Sequence, residues 1–273
     1  MKALKVIYTI WLREFKTFMR EKFRIVAMVG QPLLYLLVLG KGITAGMSLR
    51  GAADIDYLRF MYPGIIGMSI LFTSIFSSIS IIWDREFGFL KEVLVAPVPR
   101  WAVAMGKCFG GATVSMIQSV ILIMMAPLVG ISLSLTVIVE LLILAFLISF
   151  AVTSIGVIIA SRMESMQSFQ MVMNFLVMPL YFLSGAMFPM ASAPGWMKSL
   201  MMADPLTYGV DALRNVVFSE TMITVGNAVQ QPLVDAARAA GLIRWSLSFD
   251  VAVMTVAAMA LAAAGAWVFS KSN

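Results

Sequence analysis

Apolar positions run through this chain in long unbroken stretches separated by short polar ones. Six stretches reach the roughly 20 residues that a helix needs to cross a hydrocarbon layer: Ile25–Gly46, Phe60–Trp83, Ala102–Val129, Leu133–Ala160, Phe169–Phe188 and Ser248–Phe269. None alternates with the period of a barrel strand, and a continuous run satisfies its backbone inside lipid only as a helix. The pattern predicts an all-α polytopic membrane protein with six spans. Ahead of them, Leu4, Ile7, Trp11, Phe15 and Phe18 recur at helical spacing, while Lys5, Arg13, Lys16, Arg20 and Arg24 gather on another face. That predicts an interfacial helix over residues 1–24. In residues 189–247, two short apolar pieces, Pro194–Met202 and Pro205–Phe218, each begin with a proline suited to a helix start. They predict an outer re-entrant helical hairpin. With no repeat or linker, residues 1–273 read as one membrane domain.

Composition supports a bilayer setting. Hydrophobic residues make up 61% of the chain and charged ones 12%, and the mean hydropathy is +0.94, values unsuited to a soluble surface. The net charge of +6 orients the chain and implies no nucleic-acid partner. Basic residues precede the first span, Arg85, Lys91 and Arg100 lie between spans two and three, Arg162 follows span four and Lys271 follows span six. The orientation rule predicts those regions, and both termini, to be cytoplasmic in a multi-pass protein of the cell membrane. Residues 1–24 are too rich in Lys and Arg for a cleavable signal peptide.

Candidate chemistry is sparse. The chain has no histidine, which removes imidazole catalysis and imidazole metal sites. Cys108 is the only cysteine, so neither an intrachain disulfide nor a thiolate metal cluster can form. No phosphate-binding glycine loop occurs; Gly106-Lys107-Cys108 lacks both the glycine spacing and the hydroxyl. No catalytic, cofactor-binding or metal-binding residue is expected. Glu140, two turns inside the fourth span, is a candidate intramembrane polar site, but a lone acid makes no relay, and packing or hydration is the expected role. No paired intramembrane carboxylate is expected. Methionine is abundant, with 23 residues in the chain and clusters at 163–178 and 197–202; these positions could line a pliable cavity or simply fill space. Ser69, Thr73, Ser74, Ser77, Ser78 and Ser80 suit close packing of the second span.

The most informative stretch is Asp84–Trp101, which mixes acidic, basic and apolar residues between two spans and stops at Pro97 and Pro99. Glu86, Leu90, Val93 and Pro97 share one helical face. A short amphipathic element clamped between two spans moves only with them, and so suits force transfer from a soluble partner.

At these residues the sequence resembles the permease subunits of type-2 ABC exporters. The resemblance is carried by Arg85-Glu86-Phe87-Gly88-Phe89-Leu90 through Leu94-Val95-Ala96-Pro97-Val98, by Gly106-Lys107, by Tyr181 to Pro189 (YFLSGAMFP), and by Asp204 to Arg214 (DPLTYGVDALR). Phe89 stands where such permeases often carry Thr, Asp204 where Asn is common, and residues 220–245 are longer than usual, leaving their fold open. The resemblance implies that Arg85, Glu86, Gly88, Phe89, Leu90, Glu92, Val93, Leu94 and Pro97 form a coupling surface for a separate ABC ATPase subunit, which would bind the ATP and magnesium. It also implies a permease homodimer in a two-plus-two complex surrounded by membrane lipid. An amphipathic drug or lipid is the expected cargo, because the spans carry few fixed charges; a polysaccharide or lipid-linked glycan and a sodium ion are the alternatives. A membrane scaffold or intramembrane enzyme would be the reading from another class.

Overall fold

Breaks in the apolar pattern become breaks between helices. The computed structural model describes residues 2–42, 57–89, 97–220, 222–225 and 229–271. The helices are α1 (Lys2–Arg20), α2 (Lys22–Gly42), α3 (Tyr57–Ser77), α4 (Ile79–Glu86), α5 (Arg100–Met124), α6 (Leu135–Ala160), α7 (Met166–Leu183), α8 (Gly195–Ala203), α9 (Pro205–Ser219), α10 (Leu233–Ala239) and α11 (Leu247–Lys271). Five stretches are long and apolar enough to cross a membrane: Arg59–Glu86, which joins α3 to α4, and α5, α6, α7 and α11. Each matches a predicted span to within a few residues. α2 covers the first predicted run up to Gly42; its last residues lie outside the described ones. The protein is an all-α polytopic membrane protein.

Helix ends follow local chemistry. Ser134 caps α6 by accepting the Val137 N–H at 3.3 Å, and Asp204 caps α9 by accepting the Leu206 N–H at 2.9 Å, with Pro205 in the first position. Burial pushes the Asp204 carboxyl up to about 7 against the opposing pull of that N–H. Ser78 interrupts the second span between α3 and α4. The hydroxyls of α3 serve packing, with Ser74 Oγ 2.7 Å from Ser115 Oγ and Ser78 Oγ donating to the Thr153 carbonyl at 3.3 Å. Pro32 lies inside α2 and cannot donate to the Met28 carbonyl one turn earlier. Gln118 of α5 donates its amide to that carbonyl at 3.3 Å instead, and Thr73 of α3 in turn donates to Gln118.

α6 is central, packing on α3, α5, α9 and α11. α9 is buried on nearly every side among α3, α6 and α11, whereas α8 leaves Trp196 and Leu200 exposed. The segment whose fold the sequence left open forms a two-stranded antiparallel ribbon, β1 (Met222–Val225) with β2 (Val229–Pro232), pairing Met222 with Pro232 and Val225 with Val229. α10 follows it. The methionine-rich stretch of α7 divides, with Met173 buried and Met171 and Met178 exposed.

Candidate functional site at the root of the connector

α1 is held by α5 through close backbone approach and through charge. Its most buried residues are Phe18, from the predicted stripe, and Ile10, one step around the helix from it. Trp11 and Phe15 stack on each other at 5.9 Å beside exposed Leu4 and Tyr8. A Cβ on Gly106 would stand 2.7 Å from Ile10 Cβ, and one on Gly110 would stand 2.7 Å from Glu14 Cβ. These two glycines, one helical turn apart, form the small-residue seam that lets helices pack closely in membranes. Trp11 closes the seam by donating its indole N–H to Thr113 Oγ1 at 2.8 Å.

Lys107, only 5% exposed, lies about 10 Å along α5 from its start. An ammonium there needs partners. It donates to Glu14 Oε1 at 2.6 Å, Asp84 Oδ2 at 2.5 Å and Ser80 Oγ at 3.0 Å. Arg13 pairs with the same two carboxylates, at 3.0 Å to Glu14 Oε1 and in close contact with Asp84. Two cations and two anions from α1, α4 and α5 thus share one site. Burial alone would raise the Glu14 carboxyl, but Lys107 and Arg13 outweigh it and hold it below its ordinary value. Burial alone would likewise lower the Arg13 guanidinium, and Asp84 and Glu14 reverse this so that it is raised. A cavity of about 200 Å³ opens beside the cluster, lined in part by Arg13, Glu14, Arg24 and Asp84.

The predicted coupling residues divide by direction. Arg85 turns inward, donating to the Ser161 carbonyl at 3.0 Å and the Met163 carbonyl at 2.5 Å. It thereby caps the C-terminal end of α6, where a cation is favoured. The Phe89 ring receives the Arg13 guanidinium at 4.0 Å from its centroid. Glu86 and Pro97 are exposed, Phe87 is 81% exposed, and Gly88 turns the chain with φ of 80°. Leu90, Glu92, Val93 and Leu94 lie outside the described residues. The connector therefore has a root fastened to α1, α5 and α6, with Glu86 and Phe87 exposed just beyond Arg85. Glu140 lies elsewhere, half-buried on α6, with no hydrogen bond or ion pair among the described residues.

Sequence reasoning noted Lys107 in a failed phosphate loop and in the family resemblance, and Asp84 at the start of the connector, but it gave neither a charge partner and passed over Glu14. A lysine two turns inside an apolar span was the available signal, since such a charge demands a carboxylate nearby. Sequence reasoning expected no paired intramembrane carboxylate, and it did not foresee the two carboxyl groups that meet where α9 packs on the start of α11. Asp250, in the first turn of α11, lies within hydrogen-bonding reach of Asp211 on α9. They are far apart in sequence, and only the fold brings them together.

Comparison with known proteins fits this arrangement. Residues 5–218 match the family model described as ABC-2 type transporter, and the chain belongs to that family. It is similar to the putative transport permease ycf38 of Cyanophora paradoxa, 28% identical over 214 residues that cover 77% of this chain and 73% of the relative. It is also similar to nodulation protein J of Rhizobium meliloti (strain 1021), 23% identical over 222 residues covering 80% and 83%. The probable multidrug ABC transporter permease YbhR of Escherichia coli (strain K12) is 25% identical over 179 residues, covering 63% of this chain and 47% of the relative. The protein is thus a permease component of an ABC transporter, a role that implies association with an ABC ATPase subunit.

Proposed function

We propose that this chain is the membrane subunit of an exporter for amphipathic, drug-like or lipid-like molecules, driven by ATP hydrolysed on a separate subunit. In this reading α2 is the first of six spans, residues 189–247 form the outer re-entrant hairpin, both termini are cytoplasmic and two copies pair in the cell membrane. The whole chain acts as one membrane domain, and ATP and magnesium stay with the partner. The ATPase docks on the segment from Glu86 to Pro97. The reading rests on one observation: beyond Arg85 the connector presents Glu86 and Phe87 outward, while its root is fastened to three helices. Force applied at Glu86 and Phe87 passes into a root that touches α1, α5 and α6. The cargo assignment draws on α7, whose exposed side carries Gln167, Gln170 and Asn174 beside Met171, Phe175 and Met178, a mixture suited to a molecule with both polar and apolar parts. The relative named as a multidrug permease points the same way.

Co-purification with the ATPase subunit tests the docking assignment. Leu90→Asp and Glu86→Lys should each lose the partner or ATP-driven transport while inserting normally, because removing a buried interface anchor typically costs over ~2 kcal/mol, about thirtyfold in affinity. If both variants retain the partner and transport at the wild-type rate, the segment is an ordinary connector.

A further inference from the structure

The hairpin end of the molecule holds a second group of buried charges that the permease reading does not use. Asp250 is fully buried, and neither carboxylate oxygen receives an N–H or O–H from the described residues. Its neighbour Asp211 is well supplied, accepting the backbone N–H of Arg244 at 3.1 Å and that of Trp245 at 3.0 Å. The nearby Arg214 guanidinium donates to the Leu242 carbonyl at 3.0 Å and the Gly185 carbonyl at 3.1 Å, and lies 4.1 Å from the Phe60 ring centroid. Arg214 thus acts on Asp211, while Asp250 has Asp211 itself as its charged neighbour. Tyr208, Trp245 and Phe249 stack beside the pair, with centroids 4.7 Å and 6.2 Å apart in successive contacts, and limit access of water.

Two adjacent carboxylates in a dry site do not both ionise, and an ionised Asp250 would be a buried anion with no donor beside a second anion. We propose that Asp211 and Asp250 form a proton-binding site, in which the Asp250 carboxyl donates its proton to Asp211 and so joins α9 to α11. The proton comes from water, and its loss leaves two facing anions. Burial pushes the Asp211 carboxyl upward, opposed by the Trp245 N–H, Arg214 and the Arg244 N–H. The charged and titratable surroundings are Asp211, Arg214 and Tyr208 on α9 and Arg244 on the loop before α11. α6 contributes Glu140 as its one titratable side chain, and those of α5 (Arg100, Lys107 and Cys108) all lie in its first nine residues, at the far end of the bundle. The proton thus controls the contact between α9 and the last span.

Infrared spectroscopy of the full chain in lipid nanodiscs tests this, in an Asp204→Asn background that removes the other buried acid of α9. At neutral pH, where free carboxyls are ionised, a protonated-carboxyl band is expected. It should vanish in alkali and be missing when Asp250→Asn is added. Asp250→Asn should also fold, and its thermal midpoint should lack the decline of a few degrees that the parent shows as pH rises from about 4, where unfolded carboxyls ionise, to the pH at which the band disappears and the parent levels off. If Asp250→Asn does not fold, Asp250→Glu must keep the band at a changed frequency. Absence of the band in the parent, its persistence in Asp250→Asn, or an unchanged frequency in Asp250→Glu overturns the proposal. Loss of the band on adding sodium or potassium at constant pH also overturns it, and assigns the pair to a metal cation.

Discussion

The two ends of the bundle bury charge in different ways. Near the connector, Arg13, Glu14, Asp84 and Lys107 satisfy one another, side chain to side chain, across three helices. At the hairpin end, Arg214 and Asp211 are satisfied chiefly by backbone groups of Gly185, Leu242, Arg244 and Trp245. Side-chain ion pairs can exchange partners as helices slide, because each cation already touches two anions. Bonds to backbone groups fix a loop in one place. The first arrangement suits a joint that transmits movement, and the second suits a structural clasp.

The contrast is tested most severely at Lys107. Lys107→Met leaves Glu14 and Asp84 without their buried ammonium, and breaking a buried pair from one side costs about 3–5 kcal/mol. Thermal unfolding should show a large loss, and adding Asp84→Asn, which leaves one carboxylate for Arg13, should restore much of it. Arg214→Met should come next, at about 2–4 kcal/mol, since it orphans two buried carbonyls and removes the cation beside Asp211. Here no charge-neutralising partner change should rescue, because the lost partners are backbone. Equal rescue at both sites would erase the distinction. Gly110→Val tests the seam: its added bulk meets Glu14 and should cost about 1–3 kcal/mol by overpacking, read as faster tryptic cleavage around Arg20 and Lys22. A smaller effect is expected in acid. Because Glu14 is held below its ordinary value of 4.5, its contribution is complete above that pH and is lost as pH falls through the lowered value. Glu14→Gln should flatten that limb of the stability curve. Glu140→Gln, at a position with no partner among the described residues, should change stability by no more than about 0.5 kcal/mol and leave transport intact.

Much of the fold is legible in the chain because lipid imposes a simple rule on long apolar runs. The span predicted at Leu133–Ala160 is α6 at Leu135–Ala160, and Pro205 does begin a helix. The burial of α9 was not legible, since its Asp, Arg and Asn residues read as surface until the fold supplies their partners. The N-terminal helix was foreseen, with Phe18 on its apolar stripe, but not the burial of Ile10 and Glu14. Leu4, Trp11 and Phe15 make the more conspicuous stripe, whereas Ile10 and Glu14 are selected by glycines some hundred residues away. The connector root was half legible. Asp84–Trp101 stood out by composition, but the inward turn of Arg85 depends on where α6 ends, which no local pattern encodes.

The proline in α2 has a mechanical consequence. α5, α6 and α11 carry no interior proline, and they pack against one another; α2, α3 and α7 carry Pro32, Pro63 and Pro179. The first three lack such a break, while the other three each own a compliant point. At Pro32 the compliance is regulated, because the Gln118 amide supplies the bond that the helix itself lacks. A change in the bend of α2 changes the length of that bond, so Gln118 ties the shape of α2 to the position of α5.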